Sequence, residues 1–147
     1  MVAEQDLSFD AEVSVFILHD GTALRTMTPY VNEIRGLPGQ IKMNDRTTFG
    51  SVGERPAPSI YVAHFTAEFL FNMVTDVGVN SVLELLFEGK TLAAFEYYPA
   101  GQGGGNLKIS GSCYLAIYEI TSRVGSFVAV HTEFHVDNGV TLGLATG

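Results

Sequence analysis

Apolar and polar residues alternate without a break across residues 60–71, IYVAHFTAEFLF. Tyr61, Ala63, Phe65, Ala67, Phe69 and Phe71 fall on one side, and Ile60, Val62, His64, Thr66, Glu68 and Leu70 on the other. A helix would not sort them this way, so the period of two predicts a strand. Residues 12–18, EVSVFIL, carry Val13, Val15 and Ile17 on one face and Ser14, Phe16 and Leu18 on the other, a strand partly covered on both sides. Asp20-Gly21 then signals a hairpin turn, because glycine accepts positive φ. Residues 22–34 read as a weaker strand that Pro29 interrupts with a short turn or an edge. Further strands are expected at residues 91–98, ended by Pro99, at 107–121 and at 126–137. Asn138-Gly139 is the strongest hairpin signal in the chain and predicts that residues 140–145 return as a last strand.

One segment has helical spacing instead. Val79, Val82, Leu83, Leu86 and Phe87 form a stripe. Ser81 and Glu84 fit the S-x-x-E capping box, and Gly89 can close the C-terminus. The expected architecture is one mainly β domain spanning residues 1–147. It is a two-sheet β-sandwich or partly open barrel with a single flanking α-helix at about residues 80–88.

Composition narrows the functional classes. Hydrophobic residues make up 46% of the chain and charged residues only 16%. About 25% charged is usual for soluble domains, so this surface is expected to be buried against other chains. The net charge of −8 argues against a grip on nucleic acid or an anionic membrane, both of which need a basic footprint. No window approaches the ~18 apolar residues of a membrane helix, and no membrane partner is expected. Cys113 is the only cysteine, which rules out an intrachain disulfide, and the acidic opening MVAEQDLSFD lacks a signal-peptide pattern. A reducing interior is the expected setting.

Four groups of residues could carry chemistry. Strand alternation places His131, Glu133 and His135 on one face, where two imidazoles and a carboxylate could hold a divalent metal in a cupin-like enzyme or binding module. His64 and Glu68 share the polar face of their own strand and could add ligands. The plainer reading is the solvated side of a half-buried strand, and the chain is read as holding no metal. Gly103-Gly104-Gly105 joins two strands and lacks the Lys-Ser/Thr ending of a phosphate-binding loop, so a connector is expected. Cys113 lies mid-strand and reads as a small buried hydrophobe rather than a nucleophile. Ser110-Gly111-Ser112 is no nucleophile elbow, since no helix follows it. No constellation demands catalysis, and neither a catalytic residue nor a cofactor is expected.

Residues 36–59, GLPGQIKMNDRTTFGSVGERPAPS, break the alternation. Apolar residues thin out, while turn chemistry bounds the segment at Leu37-Pro38-Gly39 and Pro56-Ala57-Pro58. A compact domain rarely carries so long a stretch that builds no core. If it projects as a hairpin, an isolated two-stranded arm is marginal in water and would order by adding to another surface. A loose surface loop is the alternative.

The ordered strings Tyr30-Val31-Asn32-Glu33-Ile34, Gly36-Leu37-Pro38-Gly39 and Asp45-Arg46-Thr47-Thr48-Phe49-Gly50-Ser51 resemble the tail tube (major tail) proteins of long-tailed, non-contractile bacteriophages. So do Phe95-Glu96-Tyr97-Tyr98-Pro99-Ala100-Gly101, Ser110-Gly111 and Tyr118-Glu119, and the resemblance covers about residues 7–143. It implies a non-enzymatic structural subunit with two packed β-sheets and a flanking helix. Such subunits assemble with themselves as hexameric rings stacked into a hollow tube, a conduit for genome delivery. It further implies other tail proteins as partners at the tube ends, DNA passing without specific binding, and a place in the virion tail after assembly in the bacterial host cytoplasm. A tail-completion or secretion-tube subunit of the same fold stays open. On this chain the inter-subunit arm would fall on residues 36–59, with Leu37, Pro38, Asp45, Arg46, Thr47, Thr48, Phe49, Gly50, Ser51, Arg55 and Pro56 as its contact residues.

Overall fold

The computed structural model describes residues 11–50, 52–74 and 78–146. Ser51 of the arm and the start of the resemblance at Leu7 lie outside the described residues. The strands are β1 (Val15–His19), β2 (Leu24–Thr26), β3 (Val31–Arg35), β4 (Gln40–Asp45), β5 (Pro56–Val62), β6 (His64–Leu70), β7 (Ala93–Tyr98), β8 (Leu107–Thr121) and β9 (Ala129–Leu144), with the helix α1 (Val79–Gly89) between β6 and β7. Among the described residues, seven strands form one antiparallel sheet in the order β2-β1-β7-β8-β9-β6-β3, and β4 and β5 form a separate two-stranded sheet.

Chain connectivity forces the large sheet to curl. Its two edges, β2 and β3, are consecutive in sequence and joined only by residues 27–30, where Thr28–Tyr30 form a 3-10 turn with Pro29 near its start. Seven strands laid flat would separate those edges by roughly 29 Å. The short connection reaches at most about 18 Å. The sheet therefore bends into a half-barrel, and the seam between β1 and β3 holds a cavity of about 280 Å³ lined in part by Ser14, Phe16, Thr28, Ile34 and Tyr97.

The core fills the concave side. Phe16, Leu18, Phe65, Ala67, Phe69, Phe95, Cys113, Val130 and Phe134 point inward from the strands and meet Val79, Val82, Leu83 and Leu86 of α1. Phe65 sits at its centre, stacked on Phe134 at 4.8 Å and tilted against Phe95 at 5.0 Å. Thr132 is buried among these rings and satisfies its hydroxyl by donating to the Ala67 carbonyl at 2.8 Å. At the turn after β1, buried Asp20 accepts from the amides of Thr22 and Ala23 and from Arg25 Nε at 2.7 Å.

Three local expectations change. The capping box does not form, because the helix begins two residues before Ser81, with Gly78 as its cap and no side-chain cap. The Ser81 hydroxyl instead donates to the Val74 carbonyl, and the orphan amide of Asn80 is satisfied by the Asn72 carbonyl. At the other end Gly89 remains helical, and Lys90 takes the left-handed conformation. Asn138-Gly139 makes no hairpin. Both residues have positive φ, yet β9 runs through them as an irregularity in register, pairing Asp137 with Ser112 and then Thr141 with Ser110. The 15-residue β8 offers residues 140–144 a longer template than a return along their own strand would. Finally, residues 60–71 are two strands that part at Ala63, with Ile60, Tyr61 and Val62 belonging to the small sheet. No helix among the described residues is long and apolar enough to cross a membrane.

Candidate assembly surface

The β4–β5 arm leaves the body at Gly36–Gly39, a turn containing a cis Leu37-Pro38 peptide. Gly36 and Gly39 both have positive φ. A Cβ on Gly36 would lie 2.6 Å from the His64 carbonyl oxygen, and one on Gly39 would lie 2.7 Å from that of Val62. Only glycine lets this turn press against the β5–β6 junction. The Tyr61 hydroxyl donates to the Pro38 carbonyl and ties the second strand to the turn.

Beyond this base the hairpin carries six residues in β4 and seven in β5, a reach of roughly 20 Å. Register makes its two free edges unequal. The Arg46 amide donates to the Arg55 carbonyl, so 46/55 and 44/57 are hydrogen-bonded pairs, and 45/56 and 43/58 are the alternating non-bonded ones. Pro56 and Pro58 therefore sit where an amide would face outward, and the free edge of β5 has lost two donors. Prolines at such positions block strand addition. The edge of β4 keeps its outward donors, at Met43 among others.

The arm is also apolar where it meets solvent. Ile41, Met43, Ile60 and Tyr61 are exposed along it, and Phe49 and Val52 near the tip are as accessible as in an unfolded chain. The tip keeps its shape by local polar bonds. Asp45 accepts from the Thr47 amide at 2.8 Å; the Thr47 hydroxyl first and this amide second hold its carboxyl below the ordinary range, and the same hydroxyl oxygen accepts from the Arg55 amide. Of the residues assigned to the arm, Leu37 packs partly on the core, whereas Pro38, Asp45, Arg46, Thr47, Thr48, Phe49, Gly50, Arg55 and Pro56 lie along the hairpin or its base. Further exposed apolar residues occur at and just after the end of β6, at Leu70, Met73 and Val74, and just before β9, at Val124, Phe127 and Val128, and the Phe71 amide donates to the Val128 carbonyl.

The polar face of β6 and β9 divides the sequence-predicted trio. His131 pairs with Glu68, Nδ1 to Oε1 at 2.5 Å. Four residues further along β9, roughly 13 Å away, His135 stacks on His64 with ring centroids 4.0 Å apart and planes within 7°. Glu133 bonds His135 Nε2 at 3.0 Å. The structure thus joins Glu133 and His135 to His64 and leaves His131 with Glu68. The sequence marks His64 as polar-face but holds no sign of the strand pairing that sets it opposite His135.

The remaining candidates are absorbed by the fold. Burial pushes the Cys113 thiol up to about 12, far from thiolate chemistry at neutral pH. The glycine loop is held by backbone carbonyls, with the Gly105 amide donating to that of Ala145 beyond β9 and Asn106 Nδ2 to that of Ala100 within the loop.

No protein-family model and no curated protein sequence matches the chain. Solved structures do. The tail of an empty gene transfer agent particle, of C6 symmetry, has a TM-score of 0.68 at 11% identity, covering 92% of this chain and 99% of that one. The SPP1 tail tube has a TM-score of 0.68 at 10% identity, covering 95% of this chain and 81% of that one. The sheath–tube complex of the PVC extracellular contractile injection system, in its extended state, has a TM-score of 0.61 at 10% identity, covering 99% and 100%. At these identities the likeness is one of fold: this chain is folded like these tail and tube structures over most of its length.

Proposed function

We propose that this chain is a structural subunit of a virion tail tube, self-assembling into hexameric rings that stack around a hollow channel for genome delivery. The observation that carries this reading is the likeness of fold, over nearly its whole length, to a tail of C6 symmetry. The exposed apolar arm supports it from the physics of the chain itself. Its two strands bury little between them, so the hairpin gains stability by lying on a neighbouring subunit. The unblocked β4 edge supplies amides for that contact, while the prolines of β5 keep the other edge from pairing indiscriminately.

Residues 36–59 act as the inter-subunit arm of a single tail-tube domain. The 16% charged composition suits a surface buried against copies of itself. A charge of −8 per subunit, where it faces the channel, repels phosphate and lets DNA pass without sticking. The role is structural rather than catalytic, other tail proteins meet the tube at its ends, and assembly takes place in the host cytoplasm before the subunit resides in the virion tail.

Negative-stain microscopy of the concentrated protein tests the reading by revealing rings or tubes. Deleting residues 44–57 should leave a folded β domain that no longer polymerises. A deletion variant that assembles like the parent would remove the arm from the interface, and a parent chain that stays a compact monomer at high concentration would overturn the tube itself.

A further inference from the structure

We propose that His64, Glu133 and His135 form a binding site for a divalent transition-metal ion, zinc being the probe of choice, on the exposed face of the large sheet. The site goes beyond the tube reading and does not depend on it. Backbone register builds it. The Val136 amide donates to the Ala63 carbonyl, so 63/136 is a hydrogen-bonded pair and His64/His135 the adjacent non-bonded one. Side chains of such pairs spring from Cα atoms only ~4.5 Å apart. Glu133 stands two residues along the same strand, hence on the same face.

The side chains follow from this placement. One ligand atom from each of the three residues lies within 4.8 Å of the other two. Bonds of about 2.1 Å in a tetrahedron set ligand atoms about 3.4 Å apart. Small rotations close the gap, and His64 and His135 are exposed enough to make them. Two imidazole nitrogens and one carboxylate oxygen suit zinc and its neighbours rather than calcium or magnesium, which favour all-oxygen shells. Coordination would replace the bond between Glu133 and His135 Nε2 with bonds from both to the ion, and would leave a position open to water. His131 lies outside the site, its Nδ1 engaged by Glu68.

Isothermal titration of the dispersed chain with zinc chloride should show one ion bound per chain. His64→Ala and His135→Ala should each weaken binding at least about tenfold, since even residues that only support a ligand cost that much. His131→Ala should bind zinc as the parent does. Circular dichroism verifies that each variant is folded. Imidazole proton resonances of the parent give a readout free of any variant, with those of His64 and His135 shifting on zinc addition and those of His131 holding still. No saturable binding up to millimolar zinc, or equal losses in the His131 and His64 variants, overturns the site.

Discussion

Phe49 offers the sharpest test of the arm. In the single chain its ring is wholly exposed, and no Cβ added at neighbouring Gly50 would meet anything within 4 Å. Phe49→Ala therefore removes no contact within the subunit, and the unfolding free energy of the dispersed protein should stay within about 0.5 kcal/mol of the parent. If a neighbouring subunit buries the ring, the same change forfeits about 2–3 kcal/mol per contact. At 1.4 kcal/mol per tenfold, that raises the critical concentration for assembly roughly 30- to 140-fold. Urea unfolding of the dispersed chain and sedimentation of the assembled fraction across a concentration series measure the two quantities separately. An unchanged critical concentration would refute burial of the tip on a sister subunit, whereas a lowered unfolding midpoint would place Phe49 on its own body instead.

The other expectations follow from named contacts. Met43→Pro removes an outward amide of β4 but no bond to β5, so it should block assembly while leaving the dispersed chain's circular dichroism unchanged; tubes of normal length would show that this edge is unused. Gly36→Ala places a Cβ 2.6 Å from the His64 carbonyl at a positive φ and should cost more than about 1 kcal/mol by urea unfolding, against a near-neutral Gly50→Ala. Phe134→Ala should cost about 3–5 kcal/mol, because the ring is fully buried and stacked on Phe65; a loss below about 1 kcal/mol would contradict the packing described. Burial raises the Asp20 carboxyl, but the Arg25 bond, the Ala23 and Thr22 amides and the Arg25 charge outweigh it and bring the group to about 2. A folded value below the unfolded one contributes stability above about pH 4 that is lost as pH falls towards 2. Asp20→Asn should thus lower stability at pH 7 by ~1–3 kcal/mol and flatten that acid limb, which a pH series of thermal melts would check.

Sequence alone determined the elements whose cause is local. A period of two marks β6, β8 and most of β9, Pro29 and Pro99 mark breaks, and the helical stripe that begins at Val79 marks α1, because each pattern lies within a few residues of the chain. The odd composition of residues 36–59 likewise marks a segment that contributes almost nothing to the core. Only the tertiary structure decided which strand pairs with which and in what register. Asn138-Gly139 has the chemistry of a hairpin, yet β8 is long enough to hold the chain beyond it, so the pair becomes an irregularity within β9. Residues 60–71 alternate as one strand, yet the turn at Gly36–Gly39 presses on Ala63 and gives the first three of them to the arm. His131, Glu133 and His135 share a face by alternation, but a neighbouring strand's register brings His64 to two of them and Glu68 to the third. Side-chain alternation is a property of one strand, whereas register is a property of two, and the energy that selects it lies in contacts between residues some 70 positions apart.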